Sequence, residues 1–424
     1  MKLNLSLVTF ITALLFSTGL FAQNNPVPLK TIPVKHKGKG GVVVLKDTIA
    51  ADSIAIDNGK EDISDFIARI RHRKPSRAVD SITSKPEISI APAIGYTLLS
   101  KFALVLSGNA ILKTGPNSRI STIIASVSYT QNKQFILPVQ TNIWSKDNNY
   151  NFVGAYQYYK YPQSTYGLGS SCSIKNVDPM DYSYFMFYQT VLRHITGDLY
   201  AGVGFIFDTH WNISDKGNSN GTVSDYSLYG KESHTVASGL TFNMQLDSRD
   251  NGINPLKGAY ASLQYRDNYE FLGSSDPWRS LIIDVRKYIR LPAGTDNVLA
   301  LWSYNWFVLS GKPGYLDLPS TQWDTNSATG RGYIQGRFRG AQMVYFESEY
   351  RFKITRNGLL GGVLFINGES FSAAPGTGLQ RIQPGYGPGV RLKLNKTSNT
   401  NITIDYGFGS QGSNGLFIDV GEAF

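Results

Sequence analysis

Asn414-Gly415-Leu416-Phe417-Ile418-Asp419-Val420-Gly421-Glu422-Ala423-Phe424, the end of the chain, is the stretch that decides how the rest is read. Leu416, Ile418, Val420 and Phe424 fall on one face of an extended segment, with Glu422 as the exception. Asp419, Gly421 and Ala423 fall on the other. A period of two belongs to a β-strand. A strand of this length that ends on an aromatic residue suits a closed transmembrane barrel, whose outer face meets lipid and whose inner face meets water or a plug. A soluble chain more often ends in a frayed polar tail.

The same alternation runs back through the chain to Glu87. Strand-like segments occupy residues 88–97, 102–113, 120–130, 134–144, 150–161, 182–194, 199–213 and 234–247. They continue at 259–271, 278–291, 297–309, 342–354, 359–371, 385–395, 401–409 and 415–424. The total of about sixteen is even, as bacterial barrels require. The expected fold is therefore all-β, a transmembrane antiparallel β-barrel with a short N-terminal periplasmic segment. The connections support it. Those at 115–119, 146–149, 196–198, 293–296, 356–358 and 396–400 are short and carry Gly, Asn, Asp or Ser turn chemistry. Those at 162–181, 214–233, 310–341 and 372–384 are long. With the N-terminus in the periplasm, every long connection lands outside the cell. After the first residues no run of 18 apolar residues occurs, so no membrane-spanning helix is expected.

Lys2 is the sole charge before Lys30, residues 5–21 are apolar, and Phe21-Ala22-Gln23 offers a cleavage point. Residues 1–22 read as a secretory signal peptide. No Cys stands near the cleavage point, so a lipoprotein anchor is not expected. Signal peptide and barrel together imply the outer membrane of a Gram-negative bacterium. Residues 23–86 differ from the rest. Pro26, Pro28 and Pro33 precede a Lys/Gly-rich stretch, and Asp62-Ile63-Ser64-Asp65-Phe66-Ile67-Ala68-Arg69-Ile70-Arg71-His72-Arg73 is a helix candidate. Its apolar residues recur at helical spacing and its basic residues gather at the C-terminal end. Two readings stay open: a helix that plugs the lumen or lies on the membrane surface, and a short linker helix or disordered tail.

Composition narrows the function classes. The formal net charge is +10, but no Lys/Arg run is interleaved with stacking aromatics, so nucleic acid is not expected as a partner. The cations read as lumen lining and as groups near lipopolysaccharide or phospholipid headgroups. Tyr (25) and Phe (22) far outnumber Trp (6), which suits interfacial girdles. The single Cys172 forms no intramolecular disulfide and no Cys-rich metal site. His36, His72, His194, His210 and His234 make no spaced metal motif, and no G-x-S-x-G elbow occurs. Neither an enzyme, a cofactor nor a metal is expected.

Three segments go beyond generic barrel sequence. In Asp247-Ser248-Arg249-Asp250-Asn251, followed by Pro255 and Gly258, opposite charges can satisfy one another at a rim turn. Gly330-Arg331-Gly332-Tyr333 lies in the longest connection and continues as Ile334-Gln335-Gly336-Arg337-Phe338-Arg339-Gly340. Its glycines permit positive φ, and its arginines need partners if the loop turns inward. In Tyr345-Phe346-Glu347-Ser348-Glu349-Tyr350-Arg351-Phe352, alternation points Glu347, Glu349 and Arg351 into the lumen. On the next strand Val363, Phe365, Asn367 and Glu369 share one face.

These segments resemble the superfamily of barrels that includes BamA, TamA and the FhaC-type two-partner secretion transporters, the bacterial surface antigen proteins. The resemblance covers residues 87–424. It implies that D-x-R-D-N…P…G is the family turn, with Asp247, Arg249, Asp250, Asn251, Pro255 and Gly258. It also implies that Arg331, Gly332 and Tyr333 form a loop-lock tripeptide folded into the lumen, with Glu349 as an acidic partner of Arg331. Asn367 stands where the family has Asp, and Glu369 replaces the following Gly, so Arg331 is left to Glu347 and Glu349, or to Glu369. Val420 and Phe424 resemble the family's C-terminal assembly signal. The periplasmic POTRA domains usual in the family need about 75 residues each, and residues 23–86 show no complete one, which implies a POTRA-less short form.

The resemblance implies insertion, assembly or translocation at the outer membrane with partner subunits. Its partners would be outer-membrane lipids and lipopolysaccharide, other assembly subunits and client barrel proteins. The first and last strands would meet at a weak seam. The alternative readings are an accessory or structural barrel subunit, and a plugged pore without insertase activity.

Overall fold

The computed structural model describes residues 59–72 and 86–424 except 326, 397 and 398. The expected signal peptide and the segments 23–58 and 73–85 lie outside the described residues. Alternating side chains build seventeen strands. They are β1 (Glu87–Thr97), β2 (Lys101–Lys113), β3 (Ile120–Thr130), β4 (Phe135–Trp144), β5 (Tyr150–Lys160), β6 (Gln163–Thr165), β7 (Asp178–Thr196), β8 (Leu199–Asp215) and β9 (His234–Asp247). There follow β10 (Gly258–Asn268), β11 (Trp278–Arg290), β12 (Val298–Gly311), β13 (Gln342–Lys353), β14 (Leu360–Phe371), β15 (Gln383–Asn395), β16 (Thr400–Gly409) and β17 (Asn414–Val420). The three-residue β6 is an accessory on β7. The other sixteen form a single antiparallel ring, each strand paired with the next in sequence and β17 returning to β1. Fifteen of the sixteen junctions are extended ladders, so the backbone groups that lipid would not tolerate unpaired are satisfied around the ring except at the β1–β17 junction.

Register assigns the faces. Phe102, Leu104 and Leu106 of β2 point outward, and Leu104 is 71% exposed. They join Ile90, Phe152, Phe187, Val203, Phe242, Leu364 and Ile366 in an exposed apolar band. An apolar surface of that extent is a liability in water and what a barrel needs against lipid. The inner face mixes buried ion pairs with packed aromatics such as Tyr288, Trp302 and Tyr345. Arg266 pairs with Asp208 at 2.7 Å and Arg286 with Asp284 at 2.6 Å. Among the described residues no helix is long and apolar enough to cross a membrane. The long connections share one end of the barrel, called here the long-loop end. The short turns share the other.

Two parts of the ring depart from regularity. The first is the closure. β1 pairs with β2 at eleven positions and β17 with β16 at seven, but β1 and β17 meet in register only at Tyr96 and Ile418. The second is the end of the chain, where the expected strand to Phe424 is corrected. β17 stops at Val420, and Gly421 at φ 114° turns the remaining residues into the lumen. Leu416, Ile418 and Val420 do face outward, by register with Tyr406, Ile404 and Ile402. Phe424 does not share that face. It is 4% exposed and stacks on Trp302 at 5.0 Å inside the barrel.

The helix candidate forms a helix over Ile63–Ile70 at the short-turn end. Its N-cap Asp62 accepts hydrogen bonds from the amides of Ser64 and Asp65, and Asp65 returns the contact to the amide of Asp62.

Candidate functional site

The site is built where residues 312–341, the connection from β12 to β13, fold back into the lumen. The segment is a hairpin of its own, bridged at Ser320 and Arg339. Gly330 (φ 72°) and Gly332 (φ 109°) flank its tip in conformations that L side chains rarely adopt. Arg331 stands between them, 4% exposed.

Four groups receive the Arg331 guanidinium. Nη1 donates to Asp405 Oδ2 at 2.6 Å, and Nη2 donates to the carboxylates of Glu347 and Glu349. Its carbon lies 3.9 Å from the centroid of the Phe365 ring, close enough for cation–π attraction. Three acidic contacts on one guanidinium make a strong anchor, because the planar fork fits carboxylates that a lysine would meet only as a point charge.

The network extends past the loop. Arg351 donates to Glu349 at 2.7 Å and lies 3.8 Å from Glu422. Arg391 pairs with Glu422 at 2.8 Å and with Asp405 at 2.5 Å. The result is a closed circuit of alternating charge: Arg331, Glu349, Arg351, Glu422, Arg391, Asp405 and back to Arg331. Glu422 comes from the tail that Gly421 turns inward, and Arg351 also donates to the Phe424 main-chain oxygen at 2.9 Å. One buried network therefore holds both the infolded loop and the chain end next to the seam.

Small residues let the loop approach. Gly385, Gly387 and Gly389 of β15 and Gly407 and Gly409 of β16 all face the lumen. A Cβ on Gly385 would stand 2.5 Å from the Arg331 carbonyl oxygen, and one on Gly407 2.6 Å from the Gly332 nitrogen. The β15–β16 pairing skips Gly387 and Pro388 without a change of register, Pro388 having no N–H to donate. The loop tip crosses this glycine cradle. Tyr333 then fixes it, donating to the Pro384 carbonyl at 2.5 Å and accepting from the Ser410 amide at 2.8 Å.

The other sequence-derived residues fall into place as follows. Asn367 does not stand in for the missing acid. Its side-chain amide donates to the Arg331 main-chain oxygen at 3.0 Å. Glu369 does not meet Arg331 either. It accepts from Thr321 Oγ1, 3.1 Å from each carboxylate oxygen, beneath Gly330. Arg337 and Arg339 use carbonyls rather than acids. Arg337 donates to the Cys172 oxygen at 3.0 Å, and Arg339 to those of Tyr315 and Leu316 at 3.0 Å. The Asp247–Gly258 turn lies at the short-turn end, where the Asn254 carbonyl accepts from the Asn399 side chain at 2.9 Å and Leu256 packs against the buried cluster that holds Phe424. Arg249 makes a two-point contact with Asp247 at 2.9 and 2.8 Å. Asp250 accepts from the Leu256 amide and Asn251 from those of Ile253 and Asn254. Pro255 sits within this turn, and Gly258, at φ 108°, leaves no room for a Cβ against the Ser248 oxygen at 2.3 Å.

Sequence reasoning missed Asp405, Arg391, Glu422 and the glycine cradle. The signals were present. Asp405 is the one acidic residue in the β16 alternation, on the face it shares with Gly407, and Glu422 was the odd member of its apolar face. Among the described residues no group of His, Cys, Asp and Glu is placed to hold a metal.

Fold and site together define a class: a closed, sixteen-strand antiparallel barrel resembling outer-membrane proteins, with one long loop folded inside and held by buried ion pairs. No protein-family model matches the chain, and no curated protein matches it in sequence. Among solved structures, BamA from Haemophilus ducreyi lacking POTRA domains 1–3 aligns with a TM-score of 0.52 at 12% identity, over 80% of this chain and 70% of that one. CdiB from Acinetobacter baumannii aligns with a TM-score of 0.49 at 14% identity, over 79% of this chain and 60% of that one. CdiB from Escherichia coli aligns with a TM-score of 0.49 at 8% identity, over 79% and 67%. The chain has the barrel fold of BamA, and at this identity the likeness is one of fold.

Proposed function

We propose that this chain is an outer-membrane barrel that acts in the insertion, assembly or translocation of other proteins, with its short-turn end and N-terminus in the periplasm and with partner subunits that deliver the client. The observation that carries this reading is the closure of the ring. A single register pair joins β1 to β17. β17 itself has seven residues, fewer than the roughly 9–11 that a strand needs to cross a bilayer. Opening that seam exposes two strand edges at the cost of few hydrogen bonds, and an edge in lipid is a template for an incoming strand. The infolded loop keeps the lumen closed while the seam works. Arg331, Gly332 and Tyr333 act as its lock, and the tail bearing Val420 and Phe424 serves as the assembly signal when the chain itself is inserted.

The test uses the seam. In a Cys172→Ser background, Tyr96→Cys and Ile418→Cys are oxidised across the single register pair, and the protein is reconstituted in phospholipid vesicles with an unfolded barrel polypeptide as client. Client insertion is expected to stop on oxidation and return on reduction. Insertion that ignores the disulfide removes the seam from the mechanism.

A plugged pore without insertase activity is the second reading, and the filled lumen favours it. Client insertion, measured beside conductance before and after loop removal, separates the two.

A further inference from the structure

The helix Ile63–Ile70 is docked by its polar side. Glu61 donates its amide to the Asn357 carbonyl at 3.0 Å, and its carboxylate accepts from the Asn357 side chain at 2.9 Å. Asp62 accepts the Lys396 amide at 3.1 Å, and Asp65 pairs with the Lys396 ammonium at 2.9 Å. These contacts fasten the helix to two turns at the short-turn end, the one after β13 and the one after β15. They also bury the acidic groups Asp62 and Asp65. The apolar stripe is left outside. Phe66 and Ile67 are two-fifths exposed and Ile70 is 62% exposed. An ordinary surface helix does the reverse, burying its apolar stripe and leaving its charges in water.

We propose that this apolar stripe lies in the headgroup interface of an anionic phospholipid leaflet at the short-turn end. Two observations select lipid. The first is charge. The exposed cations Arg69 and Arg71 flank Ile70, Arg69 also pairing with Glu61 at 3.1 Å, and the sequence continues with His72, Arg73, Lys74 and Arg77. An apolar stripe with a cationic fringe is the composition that seats helices at anionic surfaces. The second is continuity with the lipid-facing band. The turns that hold the helix close strands whose outward faces end in Tyr350, Phe352 and Ile354 on β13 and its exit, and in Val390 and Leu392 on β15. Ile354 is 58% exposed. The helix thus extends the barrel's apolar belt at the level where the belt meets headgroups. Its acidic residues, which would repel such a surface, are the ones the rim turns have taken.

The inference rests on the membrane-barrel reading, and the test separates the two. The mature full-length chain carrying Cys172→Ser is labelled with a nitrobenzoxadiazole fluorophore at Phe66→Cys, Ile67→Cys or Ile70→Cys. Ser64→Cys serves as the polar-side control and Leu104→Cys as the barrel-face control. The protein is reconstituted in vesicles of phosphatidylethanolamine with phosphatidylglycerol, or of phosphatidylcholine alone. Labels at 66, 67 and 70 are expected to brighten and to be quenched by lipids spin-labelled near the headgroup, the label at 64 to stay wet, and quenching to fall in phosphatidylcholine or when Arg69→Glu and Arg71→Glu are combined. If 66, 67 and 70 are as wet as 64 while 104 is quenched, the helix proposal is overturned and the barrel reading stands. Equal quenching in both lipids overturns the preference for anionic headgroups. A wet label at 104 overturns the barrel reading itself.

Discussion

Arg331 concentrates the energetics of the lumen on one side chain. Three arginines and four carboxylates (Glu347, Glu349, Asp405 and Glu422) share one buried network, so removing a cation leaves acids facing one another without compensation. Breaking a buried ion pair from one side costs about 3–5 kcal/mol. Arg331→Ala is therefore expected to release the loop, seen as rapid proteolysis within residues 312–341 of otherwise folded barrel. Arg331→Lys should protect only in part, since one ammonium does not span carboxylates from β13 and β16. Phe424 is the second residue of this rank. Its ring fills space against Trp302, 6.2 Å from Tyr288 and beside the Arg351 guanidinium. Phe424→Ala should cost about 3–5 kcal/mol, read as a lower temperature for the loss of the compact band in semi-native electrophoresis. If the melting temperature is unchanged, the tail is not seated in the lumen.

At the scale of elements, β15 and β16 act as a bed for the loop. Their lumen-facing glycines are conformationally costly in a strand, and they are used here to admit a second backbone. Gly407→Ala sets a methyl carbon 2.6 Å from the Gly332 nitrogen. Overpacking of that kind costs about 1–3 kcal/mol and should loosen the loop without touching any charge. Faster loop proteolysis with normal barrel mobility is the expected outcome. Deleting residues 328–340 removes the tip together with Arg331. A plugged pore predicts a large rise in single-channel current with client insertion absent before and after. An insertase whose loop guards the lumen predicts the same rise in current, together with loss of an insertion activity present in the intact protein. No change in current would mean that the loop does not block the lumen.

For the whole molecule, the uneven closure of the ring sets where it opens. β12, β13 and β14 are tied by long uninterrupted ladders and by the loop network, whereas β1 and β17 share one register pair. Local opening follows the weakest cooperative unit. Amide exchange in a bilayer is expected to be fastest in β17 and in β1 at its β17 edge, and slowest in β12–β14. Uniform protection around the ring would contradict a working seam. The charge circuit adds a constraint: because Glu422 and the Phe424 carbonyl are bound by Arg391 and Arg351, the end of β17 is held on the lumen side even if its pairing to β1 is lost.

The alternation of apolar and small or polar side chains carried the architecture. Every barrel strand and every long connection was legible in the sequence, because a two-residue period is a local property that lipid on one side and a polar lumen on the other enforce at each position. The lumen-facing placement of Glu347 and Glu349 was legible for the same reason, whereas the infolded Arg331-Gly332-Tyr333 tip was implied by the family resemblance and not by any period. What alternation along one strand does not reach is which side chains from distant strands converge. Asp405 lies 74 residues from Arg331 in the chain and meets it only because β16 curves round to the loop. The inward turn of Glu422-Ala423-Phe424 was likewise settled in three dimensions. An ion network and the Trp302 ring inside the barrel outweighed continuation of the strand, and a glycine at Gly421 made the turn possible.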